Sequence, residues 1–232
     1  LIYLVEQQGA RPKARNTTGL YHLAILVPSR VELARSLARL IRSGNPLGGH
    51  SDHLVSEALY LTDPDGNGIE IYRDRPRSEW KMNGAQVQMA TLPIDLQALL
   101  REQADDNAPP ATVPNGTTMG HIHLQVADIG AAARFYNGIL GFDIMLGMPT
   151  ALFISAGGYH HHIGLNTWES AGGPQGAPDA AGLRQATIDL PNAEALADVK
   201  ARLKAANVPA SEESGGLVTH DQDQNRLLLR VV

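Results

Sequence analysis

A strand, an amphipathic helix and a hairpin follow one another three times along this chain, and no other feature limits the fold as tightly. In the clearest copy, residues 19–73, "LYHLAILV" alternates as a strand. "PSRVELARSLARLIRSG" then carries Leu33, Leu37, Leu40 and Ile41 at helical spacing, with Gly44 as a stop. "EALYLTD", an Asp63-Pro64-Asp65-Gly66 turn and "GIEIYRD" read as a hairpin. A second copy begins at Met119 with the strand "GHIHLQVAD". It continues with the helix "IGAAARFYNGILGF", which turns Phe135, Ile139 and Leu140 inward, and the hairpin "TALFISAGGYHHHIGLNTW". A third begins near Leu183: "LRQATIDLP", a helix "NAEALADVKARLKAANV" with Leu196, Val199 and Leu203 inward, and "GGLVTHDQDQNRLLLRVV". The opening "LIYLVEQ" reads as the last strand of a fourth copy whose remainder would precede the chain.

Repeated units of this kind gain stability by burying a shared face. The expected class is therefore α+β: paired βαβββ modules forming curved, half-barrel mixed sheets, in two module pairs with the first incomplete at its N-terminus. The boundaries expected are 1–90 for the N-terminal pair, 91–118 for a linker with a short helix near "DLQALLREQ", and 119–232 for the C-terminal pair. "DDNAPPATVPNGTT" is a linker by composition, and "ESAGGPQGAPDAAG" is a second loose segment.

A net charge of -5 with no Lys/Arg run offers no general attraction to nucleic acid or an anionic membrane. The chain has no cysteine, which excludes disulfides, thiolate zinc sites and cysteine nucleophiles and fits a cytoplasmic location. Any metal must then be held by His, Asp or Glu. No apolar run approaches the roughly 20 residues of a membrane span.

Superposing the first strands of the three copies aligns Val27, Val126 and Leu190, and five residues before them sit His22, His121 and Gln185. Superposing the last strands aligns Glu70, His162 and Leu228. One copy thus carries a His/Glu pair, the next a His/His pair and the last neither. Imidazole and carboxylate on one concave face suit Fe(II), Mn(II) or Zn(II), and two His with one carboxylate describe the facial triad of non-haem iron oxygenases. Spacing alone leaves metal binding and structural hydrogen bonding equally open, because Glu70 on a half-buried strand also reads as a solvent-facing carboxylate. As strand residues, His160 and His162 share one face with His161 opposite, and a structural network there is as well supported as a metal site. His53, one strand away from Glu70, could move protons if it faces the site; otherwise it is a surface turn histidine.

"GLYHLAILVPSR", "SDHLVSEALYLTDPDGNGIEIYRDRPR" and "GGYHHHIGLNTW" resemble signatures of the vicinal-oxygen-chelate (glyoxalase/bleomycin resistance/extradiol dioxygenase) superfamily. Within it the chain is most similar, over nearly its whole length, to the extradiol dioxygenases of the catechol 2,3-dioxygenase type. The resemblance implies ring cleavage of a catechol-type aromatic diol by O2, beside the hydroxyl-bearing carbons, with Fe(II), or Mn(II), as cofactor. It makes His22 and Glu70 metal ligands, with a third His on a strand preceding this chain. His53 becomes the acid/base and Tyr60 a substrate contact. His121 and His162 remain as a partial second site, since Gln185 and Leu228 occupy the ligand positions of the last copy. The alternatives on the same fold are a glyoxalase-like isomerase or transferase, and a non-catalytic small-molecule binding protein of the resistance type. The expected partners are the aromatic diol and O2, without nucleic acid or membrane, and a homo-oligomer formed through sheet edges.

Overall fold

Each copy of the repeat folds as a βαβββ module in the computed structural model, which describes residues 1–84, 86–103, 112–213 and 215–232. The first comprises β1 (Gly19–Leu26), α1 (Arg30–Ser43), β2 (Gly49–Asp52), β3 (Ser56–Thr62) and β4 (Gly68–Asp74). Its strands lie in the order β2-β3-β4-β1, with β1 parallel to β4 and the other pairs antiparallel. The crossover that makes β1 and β4 parallel is α1. Ser29 caps this helix by accepting the Glu32 N–H at 3.3 Å, and Gly44 ends it at a φ of 70°. Leu33, Leu37 and Leu40 pack with Val27, Leu59, Ile94 and Leu99 to form the core under the sheet. Ile41 lies at the edge of the apolar stripe and is exposed. The turn between β3 and β4 is held by Asp63 Oδ1, which accepts the N–H groups of Asp65 (2.9 Å) and Asn67 (2.8 Å).

A two-residue hairpin follows, β5 (Met82–Asn83) with β6 (Gln86–Val87), then the short helix α2 (Leu96–Arg101), capped by Asp95. Residues 104–111 of the expected linker lie outside the described residues. Next comes β7 (Thr118–Gln125), the first strand of the second copy, and it is the neighbour of β1. The chain divides into two compact units: residues 1–6 with 21–123, and residues 7–20 with 124–232.

In the second unit, α3 (Ile129–Ala133) runs on into a π-helical turn, Arg134–Ile139, where the Leu140 N–H reaches back five residues to Phe135 O at 2.9 Å. Sequence periodicity predicts one uninterrupted α-helix there. β8 (Asp143–Met148), β9 (Ala151–Ser155) and β10 (Ile163–Asn166) pair antiparallel in sequence order. The third copy, β11 (Ala186–Leu190), α4 (Ala193–Ala205), β12 (Ala210–Glu213), β13 (Gly216–His220) and β14 (Arg226–Val231), repeats the topology of the first. Its order is β11-β14-β13-β12, again with the first and last strands parallel. The α+β class and the mixed sheets built from βαβββ modules are as expected.

Two local expectations are corrected. Residues 1–6 form no strand; they have no ladder partner among the described residues, and Tyr3 and Leu4 are more than nine-tenths exposed. The three consecutive histidines lie in the bend before β10, not on a strand, so the two-residue alternation of faces does not apply. His160 and His161 are both buried, with their Nδ1 atoms 2.8 Å apart, while His162 is exposed and accepts the Ala156 N–H at 3.2 Å. Among the described residues no helix is long and apolar enough to cross a membrane.

Gly68 is required by close approach. Gly68 sits opposite His22 across the parallel pair, and a Cβ there would lie 2.2 Å from Tyr21 O and 3.0 Å from His22 Cβ. Gly68→Ala is expected to lower stability by about 1–3 kcal/mol through overpacking against backbone. Gly138→Ala, in open space on a helical turn, should raise it by about 0.5–1 kcal/mol. Denaturant unfolding of the two variants checks the contrast.

Candidate metal site

Alternation along β1, β4 and β7 decides which side chains meet in the first unit. In the parallel pair, Ala24 faces Glu70 and His22 faces Gly68, so His22 and Glu70 share one face of the sheet, two residues apart in register. Because Gly68 presents no side chain, His22 can lean across it onto Glu70: His22 Nε2 lies 2.9 Å from Glu70 Oε2. From the neighbouring β7, His121 Nε2 reaches the same oxygen at 3.1 Å, and the two Nε2 atoms are 3.4 Å apart. His22, Glu70 and His121 are 6%, 3% and 4% exposed, so the cluster is sealed from bulk water.

Proton positions follow from the donors and acceptors. An ionised carboxylate only accepts, so both imidazoles present Nε2–H to Glu70. Burial pushes the Glu70 carboxyl up, but the charges and hydrogen bonds of His121, and then His22, outweigh it and hold it well below the usual carboxylate range. The cluster therefore contains an ionised carboxylate even though it is buried.

Tyr60 on β3 stands directly opposite Glu70 in the antiparallel β3–β4 pair and so shares its face of the sheet. Burial first, and then the Glu70 charge, raise the Tyr60 phenol well above its ordinary value, so it keeps its proton. The same hydroxyl lies 2.8 Å from His53 Nε2, and His53 Nδ1 lies 2.7 Å from the carbonyl oxygen of Ala90. A carbonyl cannot donate, so His53 Nδ1 carries hydrogen and Nε2 is the nitrogen that faces the site. Tyr60 has one proton and two neighbours able to accept it. A neutral His53 takes the phenolic hydrogen bond itself; a protonated His53 donates to the phenol oxygen and turns the phenolic O–H toward Glu70.

The residues singled out in the sequence thus meet as follows. In the first unit His22 meets Glu70 directly, and Tyr60, opposite Glu70, hydrogen bonds His53. A third imidazole, His121, stands with His22 and Glu70: the open edge of β1 is covered by β7, which carries a histidine at the aligned position. His121 and His162 are the residues expected as a partial second site. His121 is committed to Glu70, and His162 belongs to the second unit. Gln185 in the last copy accepts a hydrogen bond from Arg226 at 2.9 Å.

One site residue escaped the alignment. His123 follows His121 by two positions, so it shares the face of the cluster, and its ring meets His22 edge-on at 4.9 Å and Tyr21 at 5.2 Å. Burial, with the charges of His22 and His121, pushes it well below the usual imidazole range, so it stands neutral. The signal was the H-x-H pattern in "GHIHL".

The donor set can hold a metal ion. The ligand atoms of His22, Glu70 and His121 all lie within 4.8 Å of one another. Two imidazoles and one carboxylate suit a divalent first-row ion and leave several coordination positions open.

Comparison with known proteins agrees with this architecture. A family profile described as the Glyoxalase/Bleomycin resistance protein/Dioxygenase superfamily matches residues 118–230. The chain is 50% identical over 212 residues to the catechol-2,3-dioxygenase of Bacillus subtilis (strain 168), covering 89% of this chain and 73% of that one. A solved Bacillus subtilis structure provisionally described as a dioxygenase superposes with a TM-score of 0.62 at 14% identity, covering 96% of this chain and 65% of the other. A glyoxalase I mutant from Zea mays superposes at 0.52, with 14% identity over 97% of this chain and 72% of that one. At such identities the two structures speak for the fold alone.

Loading the metal-free protein with Zn(II) is expected to remove hydrogen from Nε2 of both His22 and His121, leaving it on Nδ1 or releasing it to solvent. Ring-nitrogen NMR during the titration should show both imidazoles changing together at one equivalent. Unchanged His22 and His121 resonances would mean that the cluster is a structural hydrogen-bond network.

Proposed function

Because the chain belongs to the glyoxalase/bleomycin resistance protein/dioxygenase superfamily, we propose that its first unit carries the active site of an extradiol dioxygenase, with Fe(II) held by His22, His121 and Glu70. The observation that carries this reading is the donor set: two Nε2 atoms and one carboxylate oxygen, buried together, with a proton-carrying pair beside them. The similarity to a catechol-2,3-dioxygenase supports a catechol-type diol as substrate and O2 as co-substrate. Among the described residues a single carboxylate stands in the cluster with the imidazoles, which favours oxygenase chemistry over a glyoxalase-like site with two.

Iron bound by such a set would bring the diol and O2 together and polarise both, chiefly an effect of proximity and orientation. The protein's own residues do the rest. Glu70 and the two imidazoles, sealed from water, offset the charge of the ion and define the open side. His53, with Nδ1–H fixed on Ala90 O, presents Nε2 to the phenol of Tyr60 and accepts a proton as the diol binds in its ionised form. The same proton is then available when the ring opens, so the residue works first as base and later as acid. Both atoms of O2 enter the product, and no external reductant is needed.

Anaerobic loading with Fe(II), followed by catechol and oxygen, should give one O2 consumed per diol and a yellow ring-opened product. His22→Ala, His121→Ala and Glu70→Ala are expected to lose bound iron while keeping the fold. His53→Phe is expected to keep its iron and to lower kcat roughly 10²–10⁴-fold, the usual contribution of a general acid/base. Full turnover in His53→Phe would remove that residue from the mechanism. Bound iron without oxygen uptake would point to an isomerase or transferase instead.

A further inference from the structure

The imidazole of His53 is aimed by groups that never touch the site. We propose that the Asp52–Arg75 ion pair and the left-handed turn at Leu54 form a positioning device that holds His53 in a single tautomer and direction. This inference rests on the reading of His53 as the proton carrier.

The backbone around His53 is bound on every side. The Asp52 N–H donates to Leu92 O at 2.8 Å and the Leu92 N–H returns to Asp52 O at 3.0 Å, which brings residues 88–92 alongside the end of β2. The His53 N–H donates to Ser56 O at 2.8 Å, closing a tight turn. Within that turn Leu54 has a φ of 69°, a conformation strained for a side chain larger than glycine and kept where the surroundings over-determine it. The group that over-determines it is Asp52, whose Oδ1 accepts the Leu54 N–H at 2.9 Å.

The carboxylate of Asp52 is in turn held by Arg75: Nη2 lies 2.5 Å from Oδ2 and Nε 3.4 Å from Oδ1. Arg75 also grips the far side of the turn through its backbone, its N–H donating to Val55 O at 2.8 Å. One residue thus fixes both ends of the His53 turn, from the strand end that follows Glu70. The consequence is the ring position itself. His53 Nδ1 meets Ala90 O at 2.7 Å and Nε2 meets the Tyr60 hydroxyl at 2.8 Å, two contacts that a free turn would not keep together. Asp52 and Arg75 act through His53 and are positioning residues.

Ring-nitrogen NMR of His53 in the metal-free protein, beside steady-state kinetics of the iron-loaded protein, tests the device. Wild type should show one tautomer, with hydrogen on Nδ1. Asp52→Ala should show both tautomers, with unchanged iron content, KM for catechol within about twofold, and kcat at least about tenfold lower. Asp52→Asn retains the acceptor for the Leu54 N–H and should recover most of the single tautomer. If Asp52→Ala does not fold, Leu54→Pro, which removes the N–H held by Asp52 and locks φ at about −65°, opens the same turn without touching the ion pair and should give the mixed tautomer. A single Nδ1–H tautomer in Asp52→Ala or in Leu54→Pro would overturn the proposal. Mixed tautomers in Asp52→Ala, together with normal kcat in both Asp52→Ala and His53→Phe, would support the positioning device and sink only the proton-carrier reading.

Discussion

Glu70 is a charge taken out of water, and the first unit is arranged around satisfying it. An isolated carboxylate at 3% exposure would be neutralised rather than tolerated, since a buried ion persists only when paired and hydrogen-bonded. Here one of its oxygens receives two imidazole N–H groups. These partners come from two different strands, β1 and β7. The parallel register of β1 on β4 is therefore the constraint from which the rest follows. It sets His22 across from a glycine and within reach of the carboxylate two residues on. The same close packing appears at Gly120 on β7, where a Cβ would collide with the Tyr72 ring that lies against His121.

A cluster satisfied in this way is also prepared for a cation. The hydrogen atoms on Nε2 of His22 and His121 occupy the side of the carboxylate where an ion would sit. A divalent ion in their place would keep the charge of Glu70 compensated. Tyr60 stands opposite Glu70 and hydrogen bonds His53, and the carbonyl of Ala90 fixes which His53 nitrogen it meets.

Much of this was legible in the sequence, for reasons that can be named. The helix over residues 30–43 announces itself through Leu33, Leu37 and Leu40 at i, i+4 and i+7 and through its capping residues Ser29 and Gly44. The turn at Asp63 is readable because Asp and Asn side chains close turns by local hydrogen bonds. Glu70 and His22 stood out because the repeat aligns their positions independently. What the sequence could not convey was which strand closes the site: edge pairing between modules is a long-range choice, and local pattern is silent on it. His121 was therefore visible as a residue but not as the partner of Glu70. His160 to His162 misled because a strand pattern was read through residues that bend. The wide turn over Arg134–Ile139 and the left-handed Leu54 were also invisible: the first keeps helical backbone angles at Arg134 and differs in hydrogen-bond register, and leucine does not favour the positive φ that the Asp52 carboxylate holds.

The most direct test of the central claim is X-ray absorption at the iron edge of the Fe(II)-loaded chain, wild type beside His121→Ala. The account predicts two imidazoles and one carboxylate on the iron in wild type, and loss of an imidazole or of the iron itself in the variant. An iron centre with the same two imidazoles in His121→Ala would contradict it and place the third ligand elsewhere.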